Sequence, residues 1–161
     1  MSNTGLILLV FLLSVAVLFL ARRGRRRTAP TRRKKQIAVD GTNVLFWKDE
    51  VARLPTLKRV VSRLQREGFD PVVFLDASSR HHLGDKSLNE TKFAEQLGLP
   101  ANRIMVCPAR TEADAFILEY AGLQNIAVVS NDRFRDRPQE ARNIRLVKGR
   151  FQGDKLILKN L

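Results

Sequence analysis

Val128-Val-Ser-Asn-Asp-Arg-Phe-Arg-Asp136 decides how the rest of the chain is read. A short apolar run enters it and meets Ser130, Asn131 and Asp132; a second carboxylate, Asp136, follows four positions later. If a helical turn opens here, the two acids share one face. A buried strand that ends in polar residues delivers them to the rim of a sheet. The pattern occurs twice more. Ile37-Ala-Val39 runs into Asp40-Gly-Thr-Asn43, and Val72-Val-Phe-Leu75 ends at Asp76. In open α/β sheets, ligands sit beyond the carboxyl ends of the strands. Parallel strands would therefore bring three acids to one edge.

Between these strands the periodicity is helical. Leu57, Val60, Val61 and Leu64 form an i, i+3, i+4, i+7 stripe over 54–67, closed by Gly68. Further helices are expected over 89–97, closed by Gly98 and Pro100, and over 111–121, ended by Gly122. Strands are expected over 36–39, 71–75, 103–106, 126–129 and 144–147. A terminal hairpin over 151–158 turns near Gly153. The stretch 78–89 reads as a polar loop. Its adjacent His81 and His82 lack a third ligand at metal-like spacing. Phe46 and Trp47 are expected to cover the core, with base stacking as the other reading. Strands alternating with helices imply an α/β fold, three-layer α/β/α with a mostly parallel central sheet.

The first 35 residues stand apart. Gly5 to Ala21 carries no charge and no proline. As a helix it reaches roughly 26 Å, against a hydrocarbon core of about 30 Å. Snorkelling by Arg22 and Arg23 closes that gap. Met1–Thr4 has no basic side chain and Leu20-Ala21-Arg22-Arg23 is a poor cleavage site, so an uncleaved transmembrane anchor over 1–21 is expected rather than a signal peptide. Nine basic residues follow between Arg22 and Lys35, with no acid before Asp40. This basic juxtamembrane linker, 22–35, places the domain at 36–161 in the cytoplasm at the cell inner membrane, with the N-terminus outside. Anionic lipid contact or an RNA-gathering arm are its further readings.

Removing those nine residues from the chain's net +13 leaves +4 for 36–161. Net charge is then weak support for a nucleic-acid partner, and the argument passes to the site. The single cysteine, Cys107, lies in an apolar run and excludes a disulfide framework or Cys-rich zinc site within one chain.

Each acid has an ordinary reading. Asp40 can close an Asx turn with Gly41, Asp114 can form a capping box with Thr111, and Asp132 can cap the turn after its strand. Asp136 can be a solvated charge. Gathered at one edge they repel: two carboxylates about 4 Å apart cost about 4 kcal/mol at an effective dielectric near 20. Either one takes up a proton or a cation binds. Oxygen ligands with open positions suit Mg²⁺ or Mn²⁺, which serve phosphoryl chemistry.

From Ile37 to about Leu146 the chain resembles the PIN-like NYN ribonucleases of the Regnase type. The residues that carry the resemblance are IAVDGTNV at 37–44, EADAFILEYA at 112–121 and VVSNDRFRD at 128–136. It implies a Mg²⁺-dependent endonuclease acting on single-stranded or loop RNA, in a PIN-like fold. It implies metal binding by Asp40, Asp114, Asp132 and Asp136, with Asn43 orienting the first acid or a bound water. Arg110 falls where the family places a basic RNA contact; Arg80, Arg133 and Arg135 are the further candidate RNA contacts. Ser130 and Asn131 shape the backbone. Two departures stand out. Ala113 precedes Asp114 where members often have a second acid, leaving Glu112 or Asp76 as substitutes. The CCCH zinc finger of the eukaryotic members is ruled out by a single cysteine.

Two rivals remain. A haloacid-dehalogenase-type phosphatase shares Asp40-Gly41-Thr42, but its nucleophile position falls on Ala38, which cannot attack phosphorus. A non-catalytic RNA- or protein-binding module at the membrane gains nothing from clustered negative charge if its ligand is a polyanion. A homo-oligomer stays open.

Overall fold

Strand β1 (Lys35–Asp40) is buried on both faces: Ile37 and Val39 lie in one core, Ala38 in another, all without solvent exposure. A strand covered on both sides reads as a continuous apolar run, which is the pattern at Ile37-Ala-Val39. The computed structural model describes residues 34–109, 111 and 113–161. The anchor expected over 1–21, and all of the basic linker but Lys34 and Lys35, lie outside them. Among the described residues, no helix is long and apolar enough to cross a membrane. β1 opens at Lys35, one residue before the expected domain boundary.

The sheet has six strands in the order β3-β2-β1-β4-β5-β6, with β2 (Phe69–Leu75), β3 (Ile104–Val106), β4 (Val128–Val129), β5 (Leu146–Gln152) and β6 (Lys155–Lys159). All neighbours are parallel except β5 and β6. The chain winds outward from β1 through β2 to β3, then returns to the other side of β1 as β4. That reversal is a topological switch point, where α/β folds bind ligands.

Two helical layers cover the sheet. On one face, Val39, Val73, Leu75, Val129 and Val147 pack against α2 (Leu54–Arg66) and α4 (Glu90–Leu97). On the other, Phe74 and Val128 pack against Ile117, Leu118 and Ala121 of α5 (Ala113–Gln124). The expected stripe is the buried side of α2, which starts with proline in its first turn. Asn89 caps α4 by accepting the Lys92 amide at 3.0 Å, and Gly98 ends it at φ +69°. The stretch 78–89 is not only loop: it contains a short helix, α3 (Ser79–His82).

Two expected elements merge. The strand expected over 144–147 and the first limb of the hairpin are one continuous strand, β5. Gly149 is the reason. A Cβ there would stand 2.0 Å from the Trp47 ring, so the strand can pass the indole this closely only without a side chain. Trp47 therefore covers the core, as one of its two readings held.

Candidate active site

Asp40 closes β1 and caps α1 (Gly41–Leu45). Its Oδ1 accepts the Asn43 amide at 3.0 Å and its Oδ2 accepts the Ser130 hydroxyl at 2.7 Å. Gly41 permits this tight exit: a Cβ there would stand 2.8 Å from the Phe74 carbonyl and from the Val73 and Leu75 side chains. Ser130, fully buried at the end of β4, also accepts the Asp132 amide at 3.0 Å. One hydroxyl thus ties the ends of β1 and β4 together across the switch point.

Asp76 ends β2. Its amide donates to the Thr42 hydroxyl at 2.8 Å, and that hydroxyl bonds Ser79 at 2.9 Å. Its carboxylate accepts the Ala113 amide at 2.9 Å. Ala113 is the first residue of α5, so Asp76 satisfies an N–H that the helix leaves without a partner. This contact seats Asp114 beside the other acids. α5 is described from Ala113, and the Thr111 hydroxyl of the expected capping box donates to the Pro108 carbonyl at 2.5 Å. Arg110 and Glu112, expected as RNA contact and substitute ligand, lie outside the described residues.

Asp132 and Asp136 occupy an irregular loop that runs to α6 (Pro138–Ala141). No helical turn spans them, so the shared helical face expected for the pair is absent. The loop is fixed differently. The Asp132 Oδ1 accepts the Phe134 amide at 2.8 Å, and Phe134 sits at φ +50° with its ring fully buried beside α5. That φ is strained for a bulky residue. Burying a phenyl ring is worth about 2–3 kcal/mol and offsets it. Strained backbone of this kind is characteristic of functional sites.

Burial raises the Asp40 carboxyl to about 6, against the Asn43 and Ser130 hydrogen bonds, and the charges of Asp76 and Asp132 add to the rise. Burial, then repulsion from Asp40, Asp132, Asp76 and Asp136, raises Asp114 to about 7. Five acids therefore share one field, including Asp76, which the sequence left undecided. The sign for stability follows. A carboxyl raised in the fold favours the fold fully below its unfolded value of 3.8 and loses that advantage as pH rises through 6 to 7.

The acids do not close into a cage. Among the described residues, no three His, Cys, Asp or Glu side chains approach closely enough to hold an ion between them. Protein donors hold Asp40, Asp76 and Asp132 in place from within, so four carboxylates converging on one ion is not the arrangement seen. The donor set still fits a hard cation: Mg²⁺ keeps several waters and takes only one or two carboxylates directly, with substrate phosphate as a further ligand.

Asn43 reaches Asp40 through its backbone. Its side-chain oxygen is occupied by the Trp47 indole N–H at 2.8 Å and the Asn131 amide at 3.0 Å. Arg80 lies on α3 and donates to the Ala77 carbonyl at 3.1 Å. Arg133 and Arg135 are exposed on the loop between the two acids. Lys148 of β5 was not foreseen. Its amine donates to the Asp132 carbonyl at 2.5 Å. Burial lowers its pKa, as does the Arg133 charge, while Asp132 and Asp40 oppose the fall. Nothing near Lys148 in the sequence marks it; only the pairing of β5 with β4 brings it to the site.

The family description "Zc3h12a-like Ribonuclease NYN domain" matches residues 33–160. The chain belongs to that family. The NYN domain also resembles two structures of the nuclear proteinaceous, or protein-only, RNase P 2 (PRORP2) of Arabidopsis thaliana. They give TM-scores of 0.60 and 0.61 at 20% and 18% identity, over 77% and 92% of this chain. At that identity the likeness shows the fold alone. The match covers 29% and 34% of the plant chains, so this protein spans about a third of their length. No curated protein matches it. The NYN assignment makes the acid edge the place to seek RNA-cleaving chemistry.

Proposed function

We propose that the chain is a membrane-anchored, divalent-cation-dependent endoribonuclease that hydrolyses phosphodiester bonds of single-stranded or loop RNA. One observation carries this reading: the ends of β1, β2 and β4 and the start of α5 bring Asp40, Asp76, Asp132 and Asp114 to one edge, at the switch point of a ribonuclease-family fold. Of Asp40, Asp114, Asp132 and Asp136, one or two would bind Mg²⁺ or Mn²⁺ directly and the others through its waters. The ion supplies a lowered water pKa and charge compensation for the transferring phosphate. Ser130 and the Asn43 amide fix the orientation of Asp40. Arg110, Arg80, Arg133 and Arg135 hold RNA phosphates. The phosphatase alternative weakens further, because Ala38 is a fully buried side chain inside the sheet.

Full-length protein in detergent, incubated with short unstructured RNAs, is expected to cut them internally with Mg²⁺ or Mn²⁺ and to stop on chelation. Intact RNA under both conditions rejects the ribonuclease reading. Release of inorganic phosphate from small monoesters instead would mark a phosphatase.

The anchor over 1–21 and the cytoplasmic placement rest on the apolar run and its basic flank. A reporter fused after Leu161 should read cytoplasmic; an exported reporter reverses the orientation.

A further inference from the structure

We propose that the outer face of the β5–β6 hairpin is a track for the phosphate backbone of RNA leading away from the acidic site, built from Lys148, Arg150 and Lys159. The proposal rests on RNA being the ligand of that site.

The strand period sets the two faces. Val147, Gly149 and Phe151 turn toward the α2 side: Val147 is in that core, Gly149 lies on Trp47, and Phe151 carries Arg59 over its ring at 5.1 Å. Lys148 and Arg150 therefore face the other way. On β6, Leu156 and Leu158 pack with the same core, which leaves Ile157 and Lys159 on the cationic face. Lys148, Arg150, Ile157 and Lys159 line one shallow depression of about 170 Å³.

Lys148 stands directly opposite Lys159 in the register, and Arg150 is two residues along. Like charges facing each other across a strand pair are destabilising. None of the three appears in the ion pairs of the described residues. The acid at the hairpin turn, Asp154, is engaged by Lys48 and Arg59. Asp132 and Asp40 offset part of the charge of Lys148, whereas Arg150 and Lys159 have no acid in those ion pairs, and an anion lying along the face would supply one. Edge strands do use lysine to block aggregation. That accounts for Lys159 on β6, but less well for Lys148 and Arg150: β4 pairs β5 only at Leu146 and Val147, and beyond it the Asn131 side chain already covers the backbone of Gly149 between the two cations.

The track also starts in the right place. The Lys148 amine donates to the Asp132 carbonyl, and Arg133 is near enough to repel it. Phosphates flanking the cut bond would meet five carboxylates at the site. A cationic strip beginning at Asp132 offsets that repulsion one step away.

The test uses the full-length chain, a labelled single-stranded oligoribonucleotide and chelator, so that binding is read without cleavage. Arg150→Ala/Lys159→Ala should weaken binding by roughly tenfold at low salt and make the slope of log K against log salt shallower by about 1.4, since each phosphate contact to a single strand contributes about 0.7. With Mg²⁺, the double variant should raise KM for long RNA and leave kcat unchanged. Lys58→Ala/Arg66→Ala, on the exposed side of α2, is the equal-charge control. Unchanged affinity and slope in the hairpin variant overturn the track. Equal losses in both variants overturn it too, because diffuse attraction to net charge then suffices. Wild-type protein that binds in chelator but never cuts leaves the track standing and removes the ribonuclease reading instead.

Discussion

Asp40→Asn is expected to lower RNA cleavage by about 10³-fold, the equivalent of about 4 kcal/mol at the transition state, while the fold persists. Asparagine keeps the shape of the buried side chain. Its oxygen can still accept the Asn43 amide, and its amide can donate to Ser130, whose oxygen already accepts from Asp132. The Ser130 proton loses its acceptor, at a cost of about 1 kcal/mol. Against this, the variant no longer buries a carboxyl that must ionise near pH 6. The two chains should therefore differ in pH dependence. In chelator, wild-type stability should fall as pH rises through the Asp40 value of about 6 and the Asp114 value of about 7. The variant should lose the first part of that fall. It should also titrate Asp114 lower, because the Asp40 charge is the largest repulsion on it. Mg²⁺ should raise the wild-type melting temperature at about pH 8 more than at about pH 5, since cation binding needs deprotonated carboxylates. Wild-type cleavage by the variant, or chelated wild type that grows more stable through this window, contradicts the assignment.

How much of this site was legible in the sequence depended on how locally each part was encoded. The ends of β1, β2 and β4 were readable because an apolar run meeting Asp40, Asp76 or Ser130-Asn-Asp132 is a local signal, and parallel topology sends such ends to one edge. Asp114 was readable by its place at a helix start. The role of Asp76 was not, because its partner is the Ala113 amide, 37 residues away in the chain. The Asp132–Asp136 spacing suggested a helical turn, but Phe134 overrode it by trading a strained φ for a buried ring. Asn43 reads as orienting the first acid, and its backbone amide does bond Asp40, while its side-chain oxygen joins Trp47 to Asn131, a bridge between α1 and the loop after β4 that no local pattern states. Lys148 and the cationic hairpin face depend wholly on strand register, which no local pattern states.

Gly149→Ala should destabilise the protein by about 3 kcal/mol, at the upper end of overpacking costs, with a fall in melting temperature on the order of 10 °C. A Cβ at 149 would stand 2.0 Å from Trp47 Cζ3 and 2.6 Å from Cη2, so one of the two must move. Neither is free to do so. The indole N–H is bonded to the Asn43 side-chain oxygen at 2.8 Å. Gly149 is gripped by Asn131, whose Oδ1 accepts the glycine N–H at 3.0 Å and whose Nδ2 donates to the glycine carbonyl at 2.8 Å. Any retreat of the strand drags Asn131, and Asn131 precedes Asp132 in the acid loop. Cleavage should therefore fall together with stability. Gly122→Ala, in the last turn of α5 with nothing within 4 Å of the added methyl, is the control. It should be neutral or stabilising by up to about 1 kcal/mol. The two sites should be coupled through the ring: Trp47→Leu makes room, so Gly149→Ala should cost less in that background than in wild type. Additive losses in the double variant would mean that the glycine is needed for its backbone rather than for the indole stacked beneath it.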